Sequence, residues 1–97
     1  MNQDDFVIFA ELNRERFDEI LQTLSEHFKD VEHGRQGDDW IWIHVVGDKI
    51  EIDSFYSSQL EVKGKHKQQA IVKQILQNLN QRCILQVFDP PKIDTTR

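Results

Sequence analysis

The stretch that decides the fold is DWIWIHVVGDKIEIDSFY, residues 39–56. It indicates two strands around a two-residue loop, Gly47-Asp48, because glycine and aspartate between β-branched runs are typical of a tight hairpin. Such a loop predicts a register in which Val45 lies opposite Ile50. The stretch is therefore predicted to form the central hairpin of a β-sheet.

This hairpin has two different faces, because side chains alternate across a strand. One face is aliphatic and is predicted to belong to the core. The other mixes aromatic rings with acids, and the predicted register pairs Trp40 with Phe55, Trp42 with Asp53, and His44 with Glu51. Aromatic pairs stabilise a sheet by ~0.2–1 kcal/mol each, which is one reason for such a face. Two tryptophans on a half-polar face also suit binding, and this predicts six binding residues: Trp40, Trp42, His44, Glu51, Asp53 and Phe55.

Length and composition indicate one soluble domain. The chain has 97 residues, of which 38% are hydrophobic and 30% charged, and we expect a domain over residues 1–91 with a disordered tail at 92–97. No apolar run approaches the ~20 residues of a membrane span. The start of the chain is acidic rather than basic, unlike a signal peptide. The single cysteine, Cys83, excludes an intrachain disulfide, so we expect a cytoplasmic protein.

The net charge of −5 is unevenly distributed along the chain. Residues 1–60 hold 14 Asp/Glu and 5 Lys/Arg, a net of −9, whereas residues 61–97 hold 3 and 7, a net of +4. An acidic body argues against tight binding to phosphate backbones. It suits solubility or a basic partner.

The N-terminal half predicts a strand, a helix and a weak strand. Residues 5–12 form a near-continuous apolar run, typical of a central strand. Asn13 is a good N-cap, and the apolar stripe that follows predicts a helix over 14–28. Residues 30–38 are polar and predict a weak edge strand, with a loop as the alternative.

The C-terminal half predicts a strand, a helix and a last strand. Ser57-Ser58-Gln59 is a suitable three-residue connection to a strand over 60–63, which places Leu60 and Val62 in the core and leaves Lys63 in solvent. Apolar spacing predicts a helix over 65–80. The strand 82–88 is apolar on both faces and is predicted to end at Asp89-Pro90-Pro91.

This order predicts an α+β two-layer sandwich: a mainly antiparallel sheet of four to five strands with two helices on one face, of the ferredoxin-like kind. It also resembles one repeat of the TATA-box-binding fold. The passage from Tyr56 to Gly64 is similar in pattern to the strand-turn-strand-glycine passage that enters the last helix of that repeat. The resemblance implies a shared architecture, and no DNA-contacting residue is carried over.

No sequence pattern indicates an enzyme. His44 beside Glu51 has the chemistry of a general base, but a surface ion pair accounts for the same neighbours. Cys83 lies within an apolar strand, where cysteine acts as a small hydrophobe. The four histidines are scattered without metal-ligand spacing, so no metal or cofactor is predicted. We therefore expect a protein without catalytic activity.

Phosphate and nucleic acid are the two anionic ligands that the charges of the sequence bear on. Lys63-Gly64-Lys65-His66-Lys67 at the start of the second helix is a candidate phosphate site, and a solvated basic turn is the simpler interpretation. Aromatics on an open sheet face resemble those of RNA-recognition domains, where bases stack on such rings. However, Asp39, Glu51 and Asp53 beside the tryptophans would repel phosphate.

Protein interaction is the predicted function. If strands 6–12 and 82–88 are apolar on both sides, the face opposite the helices also carries Val7, Phe9, Ile84 and Phe88, and is too apolar to stay in water. We therefore predict an interaction protein that uses its aromatic-acidic face for homodimerisation or for docking to a protein partner. A ligand-binding regulatory module and a nucleic-acid-binding domain are the alternatives.

Overall fold

A computed structural model describes residues 2–96 and shows an α+β fold. Its elements are a six-stranded antiparallel sheet and two helices. The strands are β1 (Phe6–Leu12), β2 (Val31–Gly34), β3 (Trp40–Val45), β4 (Asp48–Asp53), β5 (Leu60–Lys65) and β6 (Ile84–Ile93); the helices are α1 (Phe17–His27) and α2 (Gln69–Asn78).

The sheet has more strands than the sequence predicted. Their order is β2-β3-β4-β5-β1-β6, so neither the count of four to five nor the ferredoxin-like order is matched. The weak edge strand expected within residues 30–38 is present as β2 and pairs with β3. At the opposite edge, β6 pairs with β1. The sheet therefore extends on both sides of the central strands.

The predicted hairpin is present, but its register differs by two residues. The loop is Val46-Gly47, and Asp48 pairs with Val45 as part of β4. Gly47 has a φ of 72°, a conformation that glycine adopts without steric cost. A shift of two residues keeps every side chain on its predicted face, because the period of a strand is two. The faces were therefore predicted correctly, whereas the cross-strand partners were wrong.

Both helices are confirmed, and each begins with a turn of 3₁₀ helix, at Arg14–Arg16 and His66–Gln68. The predicted cap is present, since the side chain of Asn13 accepts a hydrogen bond from the Glu15 N–H. The buried residues of both helices form one core with the aliphatic residues of a single sheet face. The opposite face, which we call the open face, has neither helix against it.

A β-bulge in β1 corrects the prediction for Val7 and Phe9. The register shifts between Ile8 and Ala10, so Phe9 and Ala10 point to the same side, and both are buried in the core. Val7 is also in that core with no exposed surface. These apolar side chains therefore belong to the helix side of the sheet, and the open face is less apolar than predicted.

The last strand continues through the prolines that were expected to end it. β6 extends to Ile93, and the Asp94 N–H donates to the Phe6 carbonyl. Proline has no N–H to donate, but an edge strand needs only one paired side. The expected disordered tail over 92–97 is not matched at Lys92 and Ile93, and Arg97 lies outside the described residues.

Candidate interaction surface

Five strands contribute side chains to the centre of the open face. Alternation and register assign them as follows: Glu32 and Gly34 from β2; Trp40, Trp42 and His44 from β3; Lys49, Glu51 and Asp53 from β4; Glu61 and Lys63 from β5; Ile8 and Glu11 from β1. Ile84, which was predicted here, packs against the core on the helix side instead. The ring of Phe88, also predicted here, lies 4.4 Å from the Nζ of Lys92, which is opposite Ile8 of the open face. The open face is thus charged and aromatic, rather than the apolar surface that the sequence indicated.

The two tryptophans pack against each other and against β2. Their ring centroids are 4.6 Å apart with planes tilted by 42°. Trp40 lies opposite Gly34 and Asp53, and a Cβ added to Gly34 would come within 2.6 Å of the Trp40 Nε1. The glycine therefore gives the indole space to lie over β2.

Trp42 is covered by a lysine of the neighbouring strand. The Lys49 Nζ lies 3.6 Å from the ring centroid of Trp42, the geometry of a cation–π contact. His44 is opposite Lys49 and bonds the Glu32 carboxylate at 3.0 Å. The predicted cross-strand partner of His44 was Glu51, which lies opposite Trp42 instead, so these two residues are diagonal rather than direct neighbours.

A buried ion pair lies at the centre of the open face. The Lys63 Nζ donates to the Asp53 Oδ1 at 2.7 Å, and the two residues are 2% and 0% exposed. Glu51, directly opposite Lys63, is also buried. Removing one partner of a buried pair typically costs about 3–5 kcal/mol. The burial of this pair corrects the expectation that Lys63 is solvated.

Two aromatic rings stay exposed next to this pair. Phe55 and Tyr56 follow β4, and 41% and 66% of their surface is accessible. Their ring centroids lie 6.0 and 5.6 Å from the Lys63 Nζ. Aromatic residues beside an ordered polar group are typical of the energetically important centre of an interface.

A row of carboxylates borders the same pair. Glu61 lies opposite Asp53 on one side and opposite Glu11 on the other. Burial raises the pKa of Glu61; Lys63 opposes this, whereas Asp53, Asp94 and Glu11 reinforce it. A cationic group from outside the chain would relieve this repulsion.

The candidate phosphate site is already neutralised. Lys63 pairs with Asp53, Lys65 with Asp48 at 3.0 Å, and Lys67 with Asp4 at 2.9 Å. The hydrogen bond from Lys65 lowers the pKa of Asp48, which keeps that carboxylate charged. All three lysines are thus held by carboxylates of the same chain, and the simpler interpretation, a basic turn, accounts for them.

Other chemistries find little support in the part of the chain that the structure describes. Across residues 2–96, no group of three or more His, Cys, Asp or Glu is arranged to hold a metal ion. Cys83 is buried, and burial raises the pKa of its thiol, which disfavours the nucleophilic thiolate. Neither helix has the length and apolar character needed to cross a membrane.

Five of the six predicted binding residues lie in the strands of the open face, and the sixth, Phe55, is in the turn after β4. Sequence reasoning missed Lys49, Tyr56, Glu61 and Lys63. Lys63 follows Val62 in the same strand, so alternation alone places its side chain on the open face. A lysine in an alternating strand, however, is ordinarily expected to be exposed to solvent. Its burial depends on the turn that folds Phe55 and Tyr56 beside it.

Comparison of the chain with protein-family models, with curated proteins and with solved structures finds no match to any of them.

Proposed function

We propose that this protein is a non-enzymatic docking domain that binds a protein partner through the open face. The observation that carries the proposal is the exposure of Phe55 and Tyr56 beside the buried Asp53–Lys63 pair. The core on the helix side is complete without these two rings. The exposed aromatic rings would supply buried area to a partner, and the charged side chains around them would orient it.

The charges favour a different protein over a second copy. Glu11, Glu61 and Asp53 lie side by side in one row of the sheet. Two copies packed face to face would bring these rows together, and like charges across an interface oppose association. A partner with basic side chains would instead pair with the row, so homodimerisation through this face is the weaker form of the proposal.

The two earlier alternatives have less support. Nucleic acid would meet the same carboxylates, which repel phosphate. A regulatory ligand would need a cavity, and the cavities identified lie beside α2 and at the Val46-Gly47 loop. The TATA-box-binding-like strand order remains a proposal about architecture, and a cytoplasmic location a proposal from the sequence.

Site-specific photo-crosslinking in the source cells tests the proposal. A photoreactive phenylalanine at position 56 should yield a discrete crosslinked protein. The same residue at position 22, an exposed site on α1, should not. Glu61→Lys should reduce the product at position 56, whereas the matched Glu26→Lys on α1 should leave it unchanged. Absence of a product at position 56, or the same products from both positions, would contradict docking through the open face.

A further inference from the structure

A second surface lies on the other side of the sheet, along its edge. One cavity of about 310 Å³ lies between α2 and the middle of β6, and another of about 450 Å³ lies between α2 and the start of β6. Both are lined by Lys73 and Leu76. We call the combined groove the β6 trough; its walls are Val72, Lys73 and Leu76 on α2, and Ile84, Val87 and Phe88 on β6.

The strand beside the trough has an unpaired edge. β6 is the last strand of the sheet and pairs with β1 on one side only. Leu85 and Val87 are 49% and 53% exposed, so this edge lacks the usual protection, and exposed apolar edges attract further strands. Pro90 and Pro91 block pairing further along, since they have no N–H. The accessible edge is therefore the segment 84–89.

We propose that the β6 trough binds an extended peptide segment of a partner protein, which adds to the sheet as a strand beside β6. The shape of the groove supports this occupant, because two cavities in line along a strand suit an extended chain better than a compact molecule. The unpaired backbone edge would supply main-chain hydrogen bonds, and alternate side chains of the segment would enter the trough. Five residues would span about 16 Å of the edge. This surface is independent of the open face.

The charges at the β6 trough indicate which side chains the bound peptide segment should carry. Lys73 is exposed at the junction of the two cavities, and it makes no ion pair with any residue in 2–96. Asp89 lines the proline end of the trough and would repel a second acid there. The segment should therefore carry apolar residues at alternate positions and a carboxylate that faces Lys73.

Selection from random linear peptides displayed on phage, against the immobilised full chain, tests this inference. Selected peptides should show alternating apolar residues with one acid. Synthesised copies should shift the backbone amide NMR signals of α2 and of residues 84–89. Lys73→Glu should weaken their binding roughly fivefold or more and restore binding of peptides whose acid is replaced by lysine. Lys29→Glu, an exposed site outside the trough with the same charge change, should have no effect.

Three outcomes would overturn the inference. One is the absence of selected peptides, and another is that their shifts map to the open face, which would leave the proposed docking function intact. The third is a dimer in light scattering that Val87→Asp converts to a monomer, because a second copy would then occupy the edge. Loss of crosslinking at position 56 with retained peptide binding at β6 would instead remove only the proposed function.

Discussion

At the residue scale, the buried Asp53–Lys63 pair is the feature of the open face whose disruption should cost the most stability. Lys63→Met keeps much of the side-chain volume but leaves the buried Asp53 carboxylate without its cation. We expect a loss of about 3–5 kcal/mol in the free energy of unfolding, measured by urea denaturation. Lys67→Met, which breaks an exposed pair with Asp4, should cost much less, because solvent screens an exposed pair. Equal losses for the two variants would show that the buried pair has no special role.

Glu61 is predicted to weaken the fold at neutral pH. Its pKa is raised by burial and by Asp53, Asp94 and Glu11, so the folded state disfavours its charged form. Because Glu61 is only partly buried, solvent screens its charge, and Glu61→Gln should increase the free energy of unfolding by only about 0.5 kcal/mol at pH 7. The gain should vanish as the pH falls below about 4, where Glu61 is protonated in both states. The exposed Glu26→Gln is the control, and a gain of the same size there would contradict the argument.

At the scale of an element, β2 depends on one glycine for its contact with β3. A methyl group at position 34 would meet the Trp40 indole at 2.6–2.8 Å. Gly34→Ala should therefore destabilise the protein by about 1–3 kcal/mol, measured by thermal unfolding. In a Trp40→Leu background the same change should cost much less, because the obstructing ring is absent. An unchanged cost in that background would place the strain in the backbone of β2 instead of at the ring.

At the scale of the whole molecule, ion pairs between distant segments should set the acid limit of stability. Burial opposes ionisation of Asp39, but hydrogen bonds from Arg35 and Arg14 outweigh it and lower its pKa. Because the folded pKa is depressed, the stability that the carboxylate contributes is present above its ordinary pKa and is lost as the pH falls below about 4. Urea denaturation at several pH values should show this decline.

The matched variant Asp39→Asn should show a flatter acid limb of the stability curve. The substitution removes the Asp39 carboxylate, which pairs with Arg14 at the start of the first helix and with Arg35 in the loop between β2 and β3. Its free energy of unfolding should be lower than that of the parent at pH 7 and should approach the parent value at low pH. A parallel decline in both proteins would assign the acid limit to other carboxylates.

Periodicity by itself determined the α+β class, both helices, the central hairpin and the face to which most strand residues belong. These features depend on local spacing: period two sorts the faces of a strand, and an apolar stripe defines a helix. A register shift of two residues leaves that sorting unchanged, which is why Trp40, Trp42 and Asp53 were assigned to the correct face although their partners were wrong.

Only the tertiary structure decided that β6 is an edge strand, and much of the surface followed from that. β6 continues through Pro90 and Pro91 because its outer side needs no partner. The bulge at Phe9 moved the apolar side chains of β1 into the core. Lys63 is buried because Asp53 of the neighbouring strand β4 pairs with it, and because the turn after β4 brings the rings of Phe55 and Tyr56 close to it. Sequence spacing contains the alternation of a strand, but burial depends on neighbours that are distant along the chain.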